Sequence, residues 1–440
     1  MKIVQAAGWY YPDSVGGTEV YVSALTRQLR ASGHDVVIAA PEPGLAAPRT
    51  YEHGGCQVFR YPIPAWPSRD EAQGDVTVRG AECFHRWLGE VRADVVHIHT
   101  FFTGLGLAEI RAARSAGSRV VVTTHSSSLG YVCQRGTLML KGETLCDGIV
   151  DTARCAECAL EHRGAPAIAG AAFANLPASI SHAAAALPGR LGTALGMTDL
   201  IARNMARQRA MLDAVDAFVV LTDHAAAIVR ANGAPASKIV VNRLGVRDEI
   251  VNAPAASVSS HDGVRVGYVG RFEDVKGVVD LAEAMRRVPS DVKLHLEFRG
   301  PSQSAADRAV TSTIAKMLAG DSRVAVGDGV PPRDVPDLLR SYDVLCCPSR
   351  CLEGGPTVAL EAMALGVPVV AASVGGVAEV VEDGVNARLV APGDVEGLAA
   401  ALVEIARDPA STICRWRKRL PAPRTMRDVA RDYLALYGAN

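Results

Sequence analysis

Two carboxylates, Glu353 and Glu361, flank a Gly354-Gly355-Pro356 turn with seven residues between them. The apolar segment Val344-Leu345-Cys346-Cys347-Pro348 precedes them, and a helical run from Thr357 to Gly366 leads into a second apolar segment, Val367 to Ala372. This pattern predicts a strand, a turn and a helix. Glu353 falls in the loop and Glu361 about two helical turns in, since eight positions at ~3.6 residues per turn make just over two turns. Gly354 and Gly355 let a ligand approach the backbone. A helix start at Thr357 and Val358 offers N–H groups to an anion. Carboxylates that accept hydroxyl hydrogen bonds, beside amides that take phosphate, suit a phosphorylated polyol.

A second set lies upstream. Arg271 and Lys276 sit in Arg271-Phe272-Glu273-Asp274-Val275-Lys276-Gly277, between the strand-like run Arg265 to Gly270 and a helix over Val278 to Arg287. Two cations at a strand end beside a helix start suit a diphosphate clamp; solvated surface charges are the bland alternative. Gly16-Gly17-Thr18-Glu19 follows the first strand, Lys2 to Ala7, and opens a helix. It reads as backbone amides facing phosphate or sugar, or as a plain tight turn. Strands over Asp94 to His99 and Arg119 to Thr124 carry His99 and deliver His125 to Ser126-Ser127-Ser128. His125 is the better functional candidate. His97 is read as pointing away from His99, in a structural role.

These groups need a scaffold that brings strand ends together. Strands alternate with helices along most of the chain, which predicts parallel sheets covered on both faces, with ligands at the carboxyl ends. The chain has 440 residues, 49% hydrophobic and 21% charged, enough for two or three domains. A formal net charge of −1 gives no support to a nucleic-acid partner. Lys2 enters a strand with no signal-peptide pattern ahead of it, and no run of ~20 strongly apolar residues is present. The stretch from Gly164 to Gly189 is read as helix pieces and turns.

The alternation breaks between His125 and the strand at Ala217, a gap too long for a simple connection. It holds Cys133, Cys146, Cys155 and Cys158, the last two as C-x-x-C. Without an export signal a metal site is favoured over disulfides. A structural zinc on four thiolates is one reading. An iron–sulfur cluster, a disulfide or redox pair, and unligated thiols are the others.

The ordered set Gly270-Arg271, Lys276-Gly277, Glu353-Gly354-Gly355-Pro356, Glu361, Gly366-Val367-Pro368-Val369-Val370-Ala371 and Gly375-Gly376 resembles the retaining, nucleotide-sugar-dependent glycosyltransferases of the GT-B fold, group 1 or family 4. Gly16-Gly17-Thr18-Glu19 and the strand ending at His125 agree with it. The resemblance implies two Rossmann-like domains facing a cleft, with the cysteine-containing insertion in the first. Arg271 and Lys276 would neutralise the donor diphosphate, and Glu361 would bind ribose hydroxyls. Glu353 and the amides at Gly354, Gly355 and Pro356 would hold the transferred sugar; those near Thr357 and Val358 would take the distal phosphate. Gly16 and Gly17 would lie against the diphosphate or the acceptor, His125 against the sugar, and Val330 near the base. The catalytic set is His125, Glu353, Arg271 and Lys276. Arg299-Gly300-Pro301 departs from the family's frequent Gly-x-Gly turn.

The expected domains are an acceptor domain at 1–246 (insertion about 126–212), a linker at 247–262, a donor domain at 263–408, and a helical tail at 409–440 packing back on the first domain. The expected activity is hexosyl transfer from a nucleotide sugar to a saccharide, lipid-linked or small-molecule acceptor, with retention and no catalytic divalent metal. A nucleotide-sugar epimerase and a non-catalytic sugar-nucleotide-binding protein are the alternatives. A cytoplasmic location is expected, with peripheral contact at the inner membrane face left open.

Overall fold

The computed structural model describes residues 1–14, 16–74, 76–254, 262–301 and 304–438. The chain divides into two compact units. One holds Met1–Lys141, Cys146–Arg243 and the segment from Met426; the other holds Gly142–Leu145 and Leu244–Thr425.

The first unit is built on an eight-stranded sheet. Its spatial order is Ile239–Val241, Ala217–Val220, Arg119–Thr123, Val95–His99, Lys2–Ala7, Asp35–Pro43, Cys56–Ile63 and Arg49–His53. All neighbours pair in parallel except the last two, which form an antiparallel edge. Ile3, Val4, Val96, Ile98 and Val120–Val122 are fully buried, as a sheet covered on both faces requires. The helix Met426–Tyr437 packs on this unit: the Tyr433 hydroxyl lies 2.8 Å from Thr123 Oγ1 and 3.1 Å from the Tyr21 hydroxyl. The insertion holds a two-stranded sheet, Met139–Leu140 and Thr144–Leu145, followed by helices over Thr152–His162, Ala167–Ala174, Ala178–Ala185, Gly189–Leu195 and Met197–Ala214. Ala156, Leu160, Ala174, Met197 and Ile201 form a small core of its own.

The second unit is a six-stranded parallel sheet, in spatial order Val324–Asp328, Leu294–Gly300, Val264–Val269, Val344–Cys347, Val369–Ala372 and Arg388–Val390. Side chains alternate across it. Val344 and Cys346 join a cluster with Leu281, Met285 and Trp416, while Leu345 and Cys347 join another with Tyr342, Leu365 and Val377.

The 409–440 tail divides between the units. The helix Pro409–Arg417 buries Ile413 and Trp416 in the second unit's core, and only the helix from Met426 packs on the first. The stretch read as a linker begins with a helical turn, Asp248–Val251, whose Ile250 is fully buried in the second unit. Its residues 255–261 lie outside the described residues. The helix Ala305–Met317 carries too little apolar periodicity for the sequence to predict it. Among the described residues no helix is long and apolar enough to cross a membrane.

Candidate active site

The carboxyl ends of the second unit's parallel strands carry the polar groups. After Val264–Val269 the chain runs through Gly270 and Arg271 into a short 3-10 turn, Asp274–Lys276, then through Gly277 into the helix Val278–Arg287. Gly277 has φ of 68°, and a Cβ there would sit 1.9 Å from the Pro348 carbonyl oxygen. Only glycine permits that turn. The close approach brings Lys276 beside the loop that carries Glu353: Lys276 Nζ lies 2.9 Å from Glu353 Oε2. The Ser349 hydroxyl donates to the other carboxylate oxygen, Oε1. Burial disfavours the charge on Lys276, yet the Glu353 carboxylate outweighs it and the pKa rises. Lys276 is therefore a fixed cation at neutral pH. Arg271 is 63% exposed and pairs with Glu273 at 2.7 Å; its charge is close enough to oppose that of Lys276.

The Glu353 loop is held by a second glycine turn. Gly376 N–H donates to the Glu353 carbonyl at 3.0 Å. A Cβ on Gly375, at φ 71°, would meet that carbonyl oxygen at 2.4 Å, and one on Gly376 would meet the Gly354 carbonyl oxygen at 2.4 Å. Gly355 adopts φ of 123°. Pro356 then caps the helix Thr357–Ala364, whose first backbone bond is Ala359 N–H to Pro356 carbonyl, 3.0 Å. The N–H groups of Thr357 and Val358 precede the helical ladder, as first-turn amides do.

Glu361 is the fifth residue of that helix, little more than one turn in rather than two, because Glu353 through Pro356 is not helical. It is buried and meets Arg247, a residue not singled out in the sequence. Arg247 Nε and Nη2 both reach Glu361 Oε1, at 3.0 and 2.9 Å. Burial raises the Glu361 pKa and Arg247 opposes the rise. Oε2 has no hydrogen-bond partner among the described residues and can accept a hydroxyl. Arg350 pairs with buried Asp280 and ties the start of the loop to the helix Val278–Arg287. Val330 follows the edge strand Val324–Asp328, two strands from Val264–Val269.

In the first unit, Gly16 caps the helix Gly17–Ala31, but its N–H already donates to Glu19 Oε2 at 3.0 Å, and Ser14 donates to Oε1 at 2.7 Å. The Gly16 amide is thus taken, while Gly17 has open space where a side chain would be. His125 N–H donates to Thr100 Oγ1 at 3.0 Å, and its Nε2 lies 3.1 Å from His99 Nδ1. His99 Nε2 in turn lies 2.5 Å from Gln5 Oε1. Since a carbonyl oxygen can only accept, His99 carries its proton on Nε2, and His125 Nε2–H donates to His99 Nδ1. Burial pushes the His125 pKa down to about 4 and those of His97 and His99 well below the usual value. His125 is a neutral imidazole whose Nδ1 has no hydrogen-bond partner among the described residues.

The expected opposite facing of His97 and His99 is corrected. Two positions apart on one strand, they share a face, with ring centroids 3.9 Å apart. His97 is buried, bridging the Tyr437 hydroxyl at 2.6 Å and Thr123 Oγ1 at 2.7 Å.

Two α/β units on parallel sheets, with cation, carboxylate and glycine turns at the strand ends of the second, define a GT-B glycosyltransferase fold. Residues 16–245 match the family described as glycosyl transferase 4-like domain, and residues 263–408 match glycosyl transferases group 1. The chain belongs to this glycosyltransferase family. It is similar to a D-inositol 3-phosphate glycosyltransferase of Kribbella flavida, 31% identical over 45% of this chain and 50% of that one. The chain thus spans about half the length of the first curated relatives it matches. A 2-deoxystreptamine N-acetyl-D-glucosaminyltransferase of Streptomyces fradiae is 27% identical over 97% of this chain and 89% of that one. Among solved structures, the fold is similar to sucrose-phosphate synthase of Thermosynechococcus elongatus, with a TM-score of 0.68, 20% identity, and 100% and 98% of the two chains covered. Anabaena HepE in complex with UDP gives a TM-score of 0.65 at 14% identity, with both chains fully covered.

Proposed function

We propose that the protein transfers a hexosyl group from a nucleotide-sugar donor to a hydroxyl-bearing acceptor, with the anomeric configuration retained as the family leads one to expect. The observation that carries this reading is the Lys276–Glu353 pair, 2.9 Å apart, beside the Gly354-Gly355 turn and the first-turn N–H groups of the helix Thr357–Ala364. As the bond from anomeric carbon to phosphate oxygen breaks, negative charge builds on the leaving diphosphate. Fixed positive charge lowers that barrier. Lys276 and Arg271 supply it, and the first-turn amides take the distal phosphate, so we assign no divalent metal to the step. Glu353 accepts hydrogen bonds from the sugar hydroxyls. Those bonds replace its contact with Lys276 and release the ammonium toward phosphate. Oε2 of Glu361 accepts a ribose hydroxyl while Arg247 holds Oε1. His125, neutral, accepts a hydroxyl of the donor sugar or acceptor at Nδ1, and Gly17 leaves room for the ligand. We assign the base to the neighbourhood of Val330.

Two relatives are named for small cyclic acceptors, an inositol phosphate and 2-deoxystreptamine. Small cyclic polyols therefore head the acceptor panel, with saccharides and lipid-linked sugars after them. We place the reaction in the cytoplasm, with membrane contact limited to lipid-linked acceptors. The test is incubation with UDP-, GDP- and ADP-sugars, with and without each acceptor, reading nucleoside diphosphate release and product mass. Acceptor-dependent release with a glycosylated product is expected. Conversion of the donor to an epimer without acceptor, or binding without turnover across the panel, overturns the proposal.

A further inference from the structure

The four cysteines of the insertion have no part in the chemistry above, yet they converge. Cys133 follows the loop after His125, Cys146 lies beyond it, and Cys155 and Cys158 stand three apart on the helix Thr152–His162, where i and i+3 share a face. All four thiols line one pocket of the first unit, together with Arg135 and Arg154. None is in a disulfide. Cys133 and Cys146 each interact electrostatically with Cys155, and Cys133 with Cys146.

Backbone amides point at the sulfurs. Gly148 N–H donates to Cys146 Sγ at 3.4 Å, and Lys141 N–H donates to Cys158 Sγ at 3.2 Å. Lys141 adopts φ of 53°, unusual for a side-chain-bearing residue, in making that bond. N–H donors to sulfur orient metal-bound thiolates and spread their charge. Positive charge is also at hand. Arg154 interacts with Cys146 and Cys155, and the buried Nε of Arg135 has no hydrogen-bond partner among the described residues.

We propose that Cys133, Cys146, Cys155 and Cys158 bind one structural zinc ion through four thiolates. As the side chains stand, no group of three or more His, Cys, Asp or Glu among the described residues is close enough to hold a metal ion. Binding must therefore turn the thiols inward, to sulfur–sulfur separations of about 3.8 Å for tetrahedral Zn–S bonds of about 2.3 Å. Four thiols give up four protons to the solvent, and the ion becomes a dianionic tetrathiolate beside Arg135 and Arg154. With four protein ligands no position remains for water or substrate. The metal's role is to tie the loop from Cys133 to Cys146 onto the helix Thr152–His162.

The test uses the full chain, purified without chelator. Elemental analysis is expected to give about one zinc per chain in the wild type and in Cys83→Ser, falling at least about tenfold in Cys155→Ser and Cys158→Ser. Should these variants fail to fold, cobalt exchange into the wild type gives a second readout: intense sulfur-to-cobalt charge-transfer bands with tetrahedral d–d bands. Metal-free protein whose four thiols titrate freely overturns the proposal. So does iron in place of zinc, a disulfide among the four, zinc retained by Cys155→Ser, or a cobalt spectrum without thiolate bands.

Discussion

Lys276 Nζ lies 2.9 Å from Glu353 Oε2, so the cation and the carboxylate assigned to the proposed donor site satisfy each other. On the proposed reading, a bound donor exchanges this contact for one to the sugar and one to the phosphate. Lys276→Ala removes the phosphate's fixed charge and is expected to lower kcat/KM by about 10²–10³, the range seen when one stabilising donor is lost. Glu353→Gln keeps the shape, frees Lys276, and is expected to lose less. Steady-state nucleotide release measures both. Wild-type rates in both variants would remove the pair from the chemistry.

Arg247 and Glu361 form the better buried pair. Arg247→Ala leaves a carboxylate without a counter-charge and is expected to lower stability by on the order of 3 kcal/mol at neutral pH. The sign of the pH dependence follows from burial. Glu361 has its folded pKa above its unfolded value, so it withdraws stability as pH rises through that window. Without Arg247 the window widens, and the deficit should be larger at about pH 8 than at about pH 5. Urea unfolding at both pH values measures it, and Glu361→Gln in the same background should recover part of the loss.

That pairing was not legible in the sequence, because its members are 114 positions apart and no periodicity links them. What could be read was the buried parallel strands: Val344–Cys347 is an unbroken apolar run, and Val264–Val269 is broken only by Arg265 near its start, because both of their faces are covered. The helix Ala305–Met317 is not legible in the sequence because Ile314 is its one buried residue, too little for an apolar stripe. Arg49–His53 escaped as an exposed, charged edge strand. Lys276, Glu353 and the glycine turns could be found because a strand end followed by a helix start is a local pattern. Arg271 was found as a cation but not as a partner of Glu273.

The glycines separate into two kinds. Gly375→Ala would drive a Cβ into the Glu353 carbonyl from a left-handed backbone, with strain of about 1–3 kcal/mol, and is expected to lower both melting temperature and turnover. Gly17→Ala meets nothing within 4 Å and begins a helix, so stability should hold or rise by up to about 1 kcal/mol. If turnover then falls while melting does not, a ligand uses the space above Gly17. Thermal melts paired with turnover on each variant separate the two outcomes.

His97, His99 and His125 are all held neutral by burial. Their folded pKa values lie below the unfolded one, so between about pH 6.5 and pH 4 the unfolded chain binds more protons. Stability should fall on acidification through that window, with a slope of about 1.4 kcal/mol per pH unit for each histidine. His97→Gln should flatten the slope by about one such step. Denaturant midpoints between pH 7 and pH 4 give the slopes directly.

The main segment of the second unit, Leu244–Thr425, interrupts the sequence of the first, whose sheet begins at Lys2 and whose His97 finds its hydroxyl partner at Tyr437. On the ribosome this reverses the order of completion. The part synthesised first must wait, with Gln5, His97 and Thr123 lacking their tyrosine partners, while the part synthesised later can finish folding. A chaperone that binds nascent chains would meet the early sheet before its last helix is made, and a chain ending just before residue 426 would carry all of the second unit and an unfinished first.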